Sequence, residues 1–295
     1  MDMQKDTEYI SLPLFIRGKV RNVYDLGDSL LMVVTDRISA FDVVFDELIP
    51  NKGKVLNSIA AFWFDYMKDV IANHVISTDP ADYPMGLSAY ADKLKGRSMW
   101  VRKVEMLPVE CIVRGYLEGS ALKEYKSTGR IGGIRMPEGM RQCDKLPAPM
   151  FTPSTKADEG HDINITYKEL VDLIGKRDAE QLSDASLALY DKASALALSK
   201  GIILADTKFE FGKIGGRLVI ADEIFTPDST RFWDLSEYEP GRAQKSFDKQ
   251  YLREWLETLD WDKTYPAPHL PGDVIAKTAA KYIEAYRLLT GKELE

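Results

Sequence analysis

The feature that most constrains the fold of this sequence is a pair of strand-like segments, residues 202–211 and 217–224, joined by a turn that contains two glycines. Successive side chains of a strand point to opposite faces of a sheet. One face of the first segment therefore carries Asp206, Lys208 and Glu210, whereas the other face carries two phenylalanines. The pattern predicts a hairpin with a buried aromatic face and a polar face that is either solvated or a binding site.

The acidic residues of this hairpin indicate a metal site. The turn brings Asp222 opposite Glu210 to within about one residue of register, and directly opposite side chains lie roughly 5 Å apart. Two carboxylates at that distance repel each other unless a cation lies between them. Mg²⁺ fits, because it takes one or two protein carboxylates together with water and phosphate oxygens. Lys208 would then meet the charge of a transferring phosphoryl group. The alternative is a solvated face with salt bridges, since Leu218 and Ile220 fall on the side assigned to the polar face.

The rest of the chain predicts a mixed fold of strands and helices. Residues 55–74 have apolar positions at helical spacing. Strand character recurs in short segments, residues 20–25, 29–35, 41–48, 98–105 and 109–114. The first third of the chain is therefore predicted to be rich in strands.

The middle of the chain contains one long stretch without periodicity. Residues 127–165 are rich in Gly, Pro, Ser and Thr, which is typical of a functional loop or a linker. Thr166 and Glu169 then form a capping-box pattern that predicts a helix start. Further helices are predicted at residues 179–200 and 273–289.

Composition and charge exclude several classes of protein. The formal net charge of −7 argues against broad nucleic-acid binding, which needs a basic surface. The apolar runs are too short to cross a bilayer, and the N-terminus resembles no signal peptide, so we expect a cytoplasmic protein. Cys111 and Cys143 form no CxxC pair, and the three histidines have no metal-ligand spacing.

A basic segment lies where the strand-rich region begins. Gly18 allows the backbone to approach a ligand closely, and Lys19 and Arg21 alternate onto one face where they could hold phosphate oxygens. Neither the Walker A pattern nor GxGxxG occurs. The alternative interpretation is a solvated basic turn.

A second anion site is indicated where a predicted strand is followed by Gly119 and Ser120. The free N–H groups of a helix N-terminus attract anions, and Arg114 could add a bidentate contact. The alternative is an ordinary N-cap at Ser120 with a surface arginine. Basic and hydroxyl side chains also follow the acidic hairpin, and each is individually unspecific. They are Arg231, Arg242, Lys245, Ser246 and Lys249.

Together these segments resemble the phosphoribosylaminoimidazole-succinocarboxamide synthase (SAICAR synthetase) family. The resemblance covers most of the chain, in the family's order, and its most specific segment is LADTKFEFG at residues 204–212. The other segments are GKVRNVYD, TDRISAFD, LPVECIVRGYLEGS, FTPSTKA, ADEIFTPDSTRFW and SFDKQ. One departure is Glu118, which stands where the family usually has a small Thr or Ala.

The resemblance implies a fold and a reaction. The family fold is α+β, two-lobed and ATP-grasp-like, with a shape related to that of protein kinases. It implies a strand-rich N-terminal lobe at residues 1–109 and a mixed α/β lobe at residues 110–295. The reaction consumes ATP, carboxyaminoimidazole ribonucleotide and L-aspartate and gives the succinocarboxamide, ADP and phosphate. The length and the SFDKQ segment resemble the monomeric branch of the family.

The resemblance also implies roles for individual residues. Lys208 and Asp206 would lie at the reacting carboxylate, and Glu210 and Asp222 would bind Mg²⁺. The residues implied to bind ATP are Gly18, Lys19, Val20, Arg21, Lys103, Glu110 and Ile112. The residues implied to bind the other two substrates are Ser39, Ala40, Asp42, Arg114, Ser120, Arg231, Arg242, Ser246 and Lys249.

Two other function classes would use a similar nucleotide site. A small-molecule kinase would consume ATP with one anionic acceptor and would not require aspartate. A nucleotide-binding regulatory module without catalysis predicts that Glu210→Ala or Asp222→Ala changes signalling or partner binding and abolishes no turnover. The alternation of Asp206, Lys208 and Glu210 favours catalysis, because a binding site alone does not need this charged arrangement beside a metal.

Overall fold

The computed structural model of this chain describes residues 3–156, 163–247 and 249–294. Its first part forms an antiparallel five-stranded sheet, the N-terminal sheet, in the order β1-β2-β3-β7-β6, and β4 pairs with β5 in a separate hairpin. The strands are β1 (Leu14–Arg17), β2 (Arg21–Asp25), β3 (Ser29–Val34), β4 (Arg37–Ala40), β5 (Val43–Leu48), β6 (Val75–Ser77) and β7 (Ser98–Arg102). The predicted strand-rich first third is confirmed.

A second antiparallel sheet, the central sheet, has the order β11-β8-β12-β13, and β14 also pairs with β12. The strands from here to the C-terminus are β8 (Glu105–Tyr116), β9 (Arg130–Ile131), β10 (Ile134–Arg135), β11 (Lys145–Thr155), β12 (Ile202–Ile214), β13 (Arg217–Ala221) and β14 (Thr230–Asp234). Strands β9 and β10 form a small hairpin of their own. The lobe boundary expected at residues 109 and 110 falls inside β8 and stays a prediction.

The helices pack around these sheets and confirm the α+β class. They are α1 (Lys52–Tyr66), α2 (Ala91–Leu94), α3 (Gly119–Thr128), α4 (Tyr167–Ile174), α5 (Lys176–Ser199), α6 (Gln250–Glu257) and α7 (Gly272–Thr290). Short 3₁₀ turns lie at Pro80–Asp82, Leu87–Tyr90 and Leu235–Glu237. One apolar core joins both sheets, because Met32 of β3, Trp63 of α1 and Phe209 of β12 belong to the same buried cluster.

The capping box before α4 forms as predicted. Thr166 accepts a hydrogen bond from the backbone N–H of Glu169, whose carboxylate in turn accepts from the backbone N–H of Thr166. These two bonds satisfy backbone donors that the first turn of a helix leaves free.

The helix predicted at residues 55–74 is too long at its C-terminal end. Helix α1 ends at Tyr66, because the following segment turns back along β13, where the carbonyl of Ala72 accepts a hydrogen bond from the N–H of Ile220. The side chain of Asn73 also accepts from the N–H of Val75. Tertiary hydrogen bonds therefore replace the helical ones that the apolar spacing predicts.

The prediction that residues 127–165 are irregular is wrong for β11 and for the hairpin of β9 and β10, and residues 157–162 of this range lie outside the described residues. Strand β11 contains three prolines and lies at the edge of the central sheet, where it pairs with β8 on one side and makes an isolated bridge, between Ser154 and Asn164, on the other. Proline lacks an N–H donor and is tolerated in edge strands. The strand predicted to begin at residue 41 also begins later, since Phe41 and Asp42 have positive φ angles of 51° and 65° and form the turn between β4 and β5.

Candidate active site

The alternation predicted for the acidic hairpin is present in β12. Phe209 and Phe211 are buried in the apolar core, and Asp206, Lys208 and Glu210 lie on the opposite face. The neighbouring strand β8 places Arg114, Ile112 and Glu110 directly across from these three residues. Two adjacent strands therefore form one polar surface at the centre of the sheet.

Lys208 lies between carboxylates on this surface. Its ammonium group is paired with Glu110 and lies 3.6 Å from Glu210, and Glu210 is also paired with Lys156. Burial would lower the pKa of Lys208, but the charges of Glu110 and Glu210 outweigh burial and hold this pKa above its ordinary value. Lys208 is therefore cationic at neutral pH and fixed in position by its neighbours.

Asp222 reaches the same region from the end of β13. The register pairs Glu210 with Ala221, so Asp222 is one residue from Glu210, as predicted. Asp222 has a left-handed φ of 64°, which takes it out of the strand, and its carboxylate lies 2.7 Å from Arg21. Burial would raise the pKa of Asp222, but Arg21 outweighs burial and holds this pKa below its usual range.

The placement of Leu218 and Ile220 on the polar side of the hairpin is wrong. Ile220 pairs with Phe211 and Leu218 pairs with Lys213, so Ile220 shares the aromatic face and packs in the core. A shift of one residue in register exchanges the two faces of a strand. These two apolar residues therefore no longer argue against a binding site on the polar face of the hairpin.

A cluster of arginines surrounds Asp206. Arg231 is paired with Asp206, and Arg114 Nη1 lies 3.3 Å from the same carboxylate. Arg114 Nη2 also donates to Ser120 Oγ at 2.8 Å, and Nε donates to Thr152 Oγ1 at 3.0 Å. Burial lowers the pKa of Arg114. Two guanidinium groups against one carboxylate leave a local positive charge, which suits an anion. The alternative of a surface arginine at position 114 is wrong, since Arg114 is only 4 % exposed.

Gly119 is required for the position of Arg231. A Cβ atom at Gly119 would lie 2.6 Å from Arg231 Nη2, and the φ angle of Gly119 is +60°. We expect Gly119→Ala to displace the Arg231 guanidinium and to raise the KM for an anionic substrate by roughly tenfold, as misplacement of a binding group can do. Steady-state kinetics with each substrate varied in turn would measure this.

Gly129→Ala is the matched control for that variant. Gly129 ends the same helix with a φ of +68°, but a Cβ there would meet no atom within 4 Å. Both variants therefore carry similar backbone strain, and only Gly119→Ala disturbs Arg231. Equal KM values in the two variants would contradict the assignment of Arg231 to substrate binding.

The polar surface forms the floor of a large cleft of about 1300 Å³, which adjoins a smaller cavity of about 210 Å³. The cleft brings together most of the residues expected to act on substrates. These are Gly18, Lys19, Val20, Arg21, Ser39, Ala40, Asp42, Glu110, Ser120, Lys208, Glu210, Arg231 and Lys249. The smaller cavity adds Ile112, Arg114 and Asp206. Asp222 lies beside the cleft through its contact with Arg21.

Besides Asp222, three further expected site residues lie outside both cavities. Lys103 pairs with Asp25 at 2.8 Å, and Arg242 pairs with Glu239 at 2.6 Å on the surface. Ser246 is buried, and its carbonyl accepts a hydrogen bond from Lys281. The roles of Lys103, Arg242 and Ser246 stay predictions.

The cleft also contains charged residues that the sequence did not single out. Lys156 and Arg253 line it, and so does Asp228, which binds the buried Lys52 at 2.9 Å. Lys156 and Asp228 stand inside the segments FTPSTKA and ADEIFTPDSTRFW, so the resemblance could have signalled them. Lys52 follows no motif, and only its burial in the structure reveals it. Glu118 also lines the cleft and accepts hydrogen bonds from Gln142 and from the Cys143 thiol.

The two carboxylates expected to bind Mg²⁺ are compatible with an ion that arrives with nucleotide phosphates. In the part of the chain that the structure describes, no group of three or more His, Cys, Asp or Glu side chains is arranged to hold a metal. Glu210 and Asp222 are instead paired with cations, Lys156 and Arg21. Mg²⁺ in nucleotide sites uses one or two carboxylates and phosphate oxygens, so this donor set fits it.

His74 is a buried group near Asp222 that predicts a loss of stability in acid. Its ring packs against Phe64 at a centroid distance of 5.1 Å, and neither ring nitrogen has a hydrogen-bond partner within the described residues. Burial lowers the pKa of His74 from 6.5 to about 4. Between these two pH values the unfolded chain binds a proton at His74 and the folded chain does not. The contribution of His74 to the free energy of unfolding is therefore fully present above about pH 6.5 and decreases by about 3 kcal/mol as the pH falls to 4.

Replacement of His74 tests this expectation. The free energy of unfolding of His74→Leu, measured by denaturant titration between pH 7 and pH 4, should lose about 3 kcal/mol less than that of the wild type. His269→Leu is the control, since the His269 side chain is 82 % exposed. If the free energy of unfolding of His74→Leu falls with pH as steeply as that of the wild type, groups other than His74 cause the loss of stability in acid.

Comparisons with known proteins identify the family. The SAICAR synthetase family model matches residues 14–268. The phosphoribosylaminoimidazole-succinocarboxamide synthases of Trichlorobacter lovleyi and Geobacter sulfurreducens are each 57 % identical to this chain, over 97 % of this chain and 97 % of their own lengths. The chain belongs to the SAICAR synthetase family. This membership confirms the resemblance drawn from the motifs.

Solved structures of the same family share the fold. The SAICAR synthase of Saccharomyces cerevisiae, solved in complex with SAICAR, has a TM-score of 0.86 and 39 % identity, covering 99 % of this chain and 98 % of that one. A SAICAR synthetase solved in complex with ADP has a TM-score of 0.70 and 26 % identity, covering 95 % and 99 %. The two-lobed SAICAR synthase-like fold expected from the motifs is therefore confirmed. Separately, none of the helices within the described residues is long and apolar enough to cross a membrane.

Proposed function

We propose that the cleft joins L-aspartate to the carboxylate of 5-amino-1-(5-phosphoribosyl)imidazole-4-carboxylate, with ATP as the energy source and the succinocarboxamide, ADP and phosphate as products. The observation that carries this proposal is the polar face of β12. Asp206 lies among arginines at one end of this face, and Glu210 lies near Asp222 and Arg21 at the other end. One strand thus joins an anion-binding cluster to a candidate metal and nucleotide site.

The nucleotide belongs at the Glu210 end. The turn between β1 and β2 is closed by a hydrogen bond from Gly18 N–H to the carbonyl of Arg21, and Gly18, Lys19, Val20 and Arg21 all line the cleft. These residues would cover the phosphates of ATP. Glu110 and Ile112 on β8 would hold the adenine ring, and Lys103 would reach the α-phosphate.

The ribonucleotide belongs at the Asp206 end. Arg114, Ser120 and Arg231 are already linked to one another through Asp206 and the Arg114–Ser120 hydrogen bond. Their arrangement is fixed before the substrate arrives, so little ordering of side chains opposes binding. A phosphate group fits the paired guanidinium groups of such a cluster.

Lys208 would act at the reacting carboxylate, between the two ends. A carboxylate is a poor electrophile, and transfer of the γ-phosphoryl group of ATP converts it to an acyl phosphate that the amine of aspartate can attack. The positive charge of Lys208 would stabilise the negative charge on the transferring group, which is the main task in phosphoryl transfer. Asp206 would orient the arginines that hold the substrate beside it.

Glu210 and Asp222 would hold Mg²⁺, which when bound neutralises charge on the ATP phosphates. Arg21 and Lys156 now pair with these carboxylates and would turn to phosphate oxygens instead. Ser39, Ala40 and Asp42 would contact aspartate or the imidazole. Lys249, with Arg242 and Ser246, would contact an anionic group of a substrate.

Release of ADP by the purified protein tests the reaction. Mg-ATP and the carboxylated ribonucleotide would be supplied with and without L-aspartate, and the product identified by mass spectrometry. Strictly aspartate-dependent release with a succinocarboxamide product is the expected result. Release that does not depend on aspartate would instead indicate a kinase, and no release would contradict the proposal.

The proposal extends to a monomeric protein in the cytoplasm. Size-exclusion chromatography with light scattering should give a mass near 33.3 kDa. A mass twice as large would contradict the monomer.

A further inference from the structure

A buried ionic cluster lies at the inner end of the cleft. The carboxylate of Asp228 accepts hydrogen bonds from Lys52 at 2.9 Å and from Tyr282 at 2.7 Å, and Lys249 lies 3.2 Å from it. The Lys52 and Tyr282 side chains are fully buried, and those of Asp228 and Lys249 are nearly so. Four separate parts of the chain therefore meet at one carboxylate.

The charges within this cluster do not balance. Within the described residues, two lysines surround a single carboxylate, which leaves one positive charge in excess. Burial would raise the pKa of Asp228, but Lys249 and Lys52 outweigh burial and hold it below its ordinary range. Burial lowers the pKa of Lys249 and is only partly opposed by Asp228. An uncompensated buried cation is unfavourable unless an anion comes to meet it.

Lys52 is poorly placed for stability alone. It is the first residue of α1, and the N-terminus of a helix carries a partial positive charge that repels a cation. The ring of Tyr282 lies 5.8 Å from the Lys52 ammonium group, a weak contact that does not remove this repulsion. A methionine of similar length would fill the same space without a buried charge.

Only part of the cluster faces the cleft. Asp228 and Lys249 line the cleft, whereas Lys52 and Tyr282 are absent from its walls and support Asp228 from behind. Tyr282 belongs to α7, the last helix of the chain, and Lys52 belongs to α1 beside the N-terminal sheet. A substrate anion in the cleft can therefore meet Lys249 directly but can meet Lys52 and Tyr282 only through Asp228.

We propose that Lys52 and Tyr282 are positioning residues that act through Asp228 to hold Lys249 at the cleft wall with one uncompensated positive charge. This charge receives an anionic oxygen, a carboxylate or a phosphate, of one substrate. Which substrate carries this oxygen rests on the proposed function. The geometry of the cluster is independent of it, because Lys52, Tyr282 and Lys249 contact Asp228 whatever the substrate is.

Lys52→Met tests the charge. We expect the KM for one anionic substrate to rise by roughly tenfold, because a buried charge is lost from the cluster, with kcat changed much less. The melting temperature should stay close to that of the wild type, since Lys249 and Tyr282 still satisfy Asp228. Lys192→Met is the matched control, because Lys192 also pairs with an aspartate, Asp69, and lies over a tyrosine ring, but far from the cleft.

Tyr282→Phe tests the positioning. It removes one hydrogen bond to Asp228 and keeps the ring, and we expect a rise of roughly fivefold in the same KM. Tyr83→Phe is the control, since Tyr83 is buried and loses a hydroxyl contact with Ser98 of 3.0 Å outside the cleft. A purely structural role would lower the melting temperature of both phenylalanine variants and leave both KM values unchanged.

The outcomes separate this inference from the proposed function. A rise in the KM for aspartate would assign the anion to a carboxylate of that substrate, and a rise in the KM for the ribonucleotide would assign it to the phosphate or carboxylate there. Unchanged KM values in Lys52→Met and Tyr282→Phe, with an active wild type, would overturn the inference alone. A wild type without aspartate-dependent ADP release would overturn the proposed function. Calorimetric binding of aspartate and of the ribonucleotide to the wild type and to both variants would still test the cluster.

Discussion

Lys208→Met is expected to lower kcat by roughly 10²- to 10³-fold while the affinity for ATP changes little. Lys208 is held between Glu110 and Glu210 on the polar face of β12, where it remains cationic. Its charge matters most when negative charge develops on the transferring phosphoryl group, so its loss should raise the barrier of the chemical step. Methionine keeps the apolar stem and removes only the charge.

Single-turnover kinetics and equilibrium binding of an ATP analogue would measure the two quantities separately. Lys213→Met is the control, since Lys213 lies on the same strand and pairs with Asp178 at 2.6 Å, away from the cleft. Undiminished turnover in Lys208→Met would remove Lys208 from the mechanism. An equal loss in Lys213→Met would indicate damage to the strand.

Glu210→Gln is expected to lower turnover by roughly a hundredfold or more and to shift the Mg²⁺ concentration needed for half-maximal rate upward. The amide keeps the shape of the side chain but is a much weaker ligand for a hard cation. Its effect should be largest at low Mg²⁺ and partly relieved at high Mg²⁺.

Activity measured over a range of free Mg²⁺ would test this, with Glu105→Gln as the control. Glu105 is exposed on β8 and pairs in register with Lys213, at the far end of the same strand pair. A variant with lower turnover but an unchanged Mg²⁺ dependence would place Glu210 outside the metal site. The same conclusion would follow if the rates of Glu210→Gln and Glu105→Gln depended equally on the Mg²⁺ concentration.

The local part of the candidate site could be predicted from the sequence. Alternation along β12 depends only on the backbone geometry of a strand, so Asp206, Lys208 and Glu210 were assigned to one face correctly. The capping box at Thr166 was predictable for the same reason, because both of its partners lie within one helical turn. The motifs also indicate the SAICAR synthetase family, and the match to the family model and to its members confirms it.

Other features depended on pairings that a local pattern does not contain. Strand β11 was missed because its prolines and lack of periodicity resemble a loop, although a place at the edge of the sheet tolerates them. Ile220 lies on the face opposite to the one that the local pattern predicts, because Glu210 pairs with Ala221 and not with Asp222. Helix α1 was predicted too long because contacts with β13 end it.

The sequence by itself determined the charged face of β12, the likeness to SAICAR synthetases and the class of reaction. Only the tertiary structure decided which distant residues share the cleft. Arg21 meets Asp222 across 201 residues of chain, and Lys52 meets Asp228 across 176 residues. Such contacts depend on how both sheets and α1 pack around one apolar core, whereas the face on which a strand residue lies depends only on its immediate neighbours.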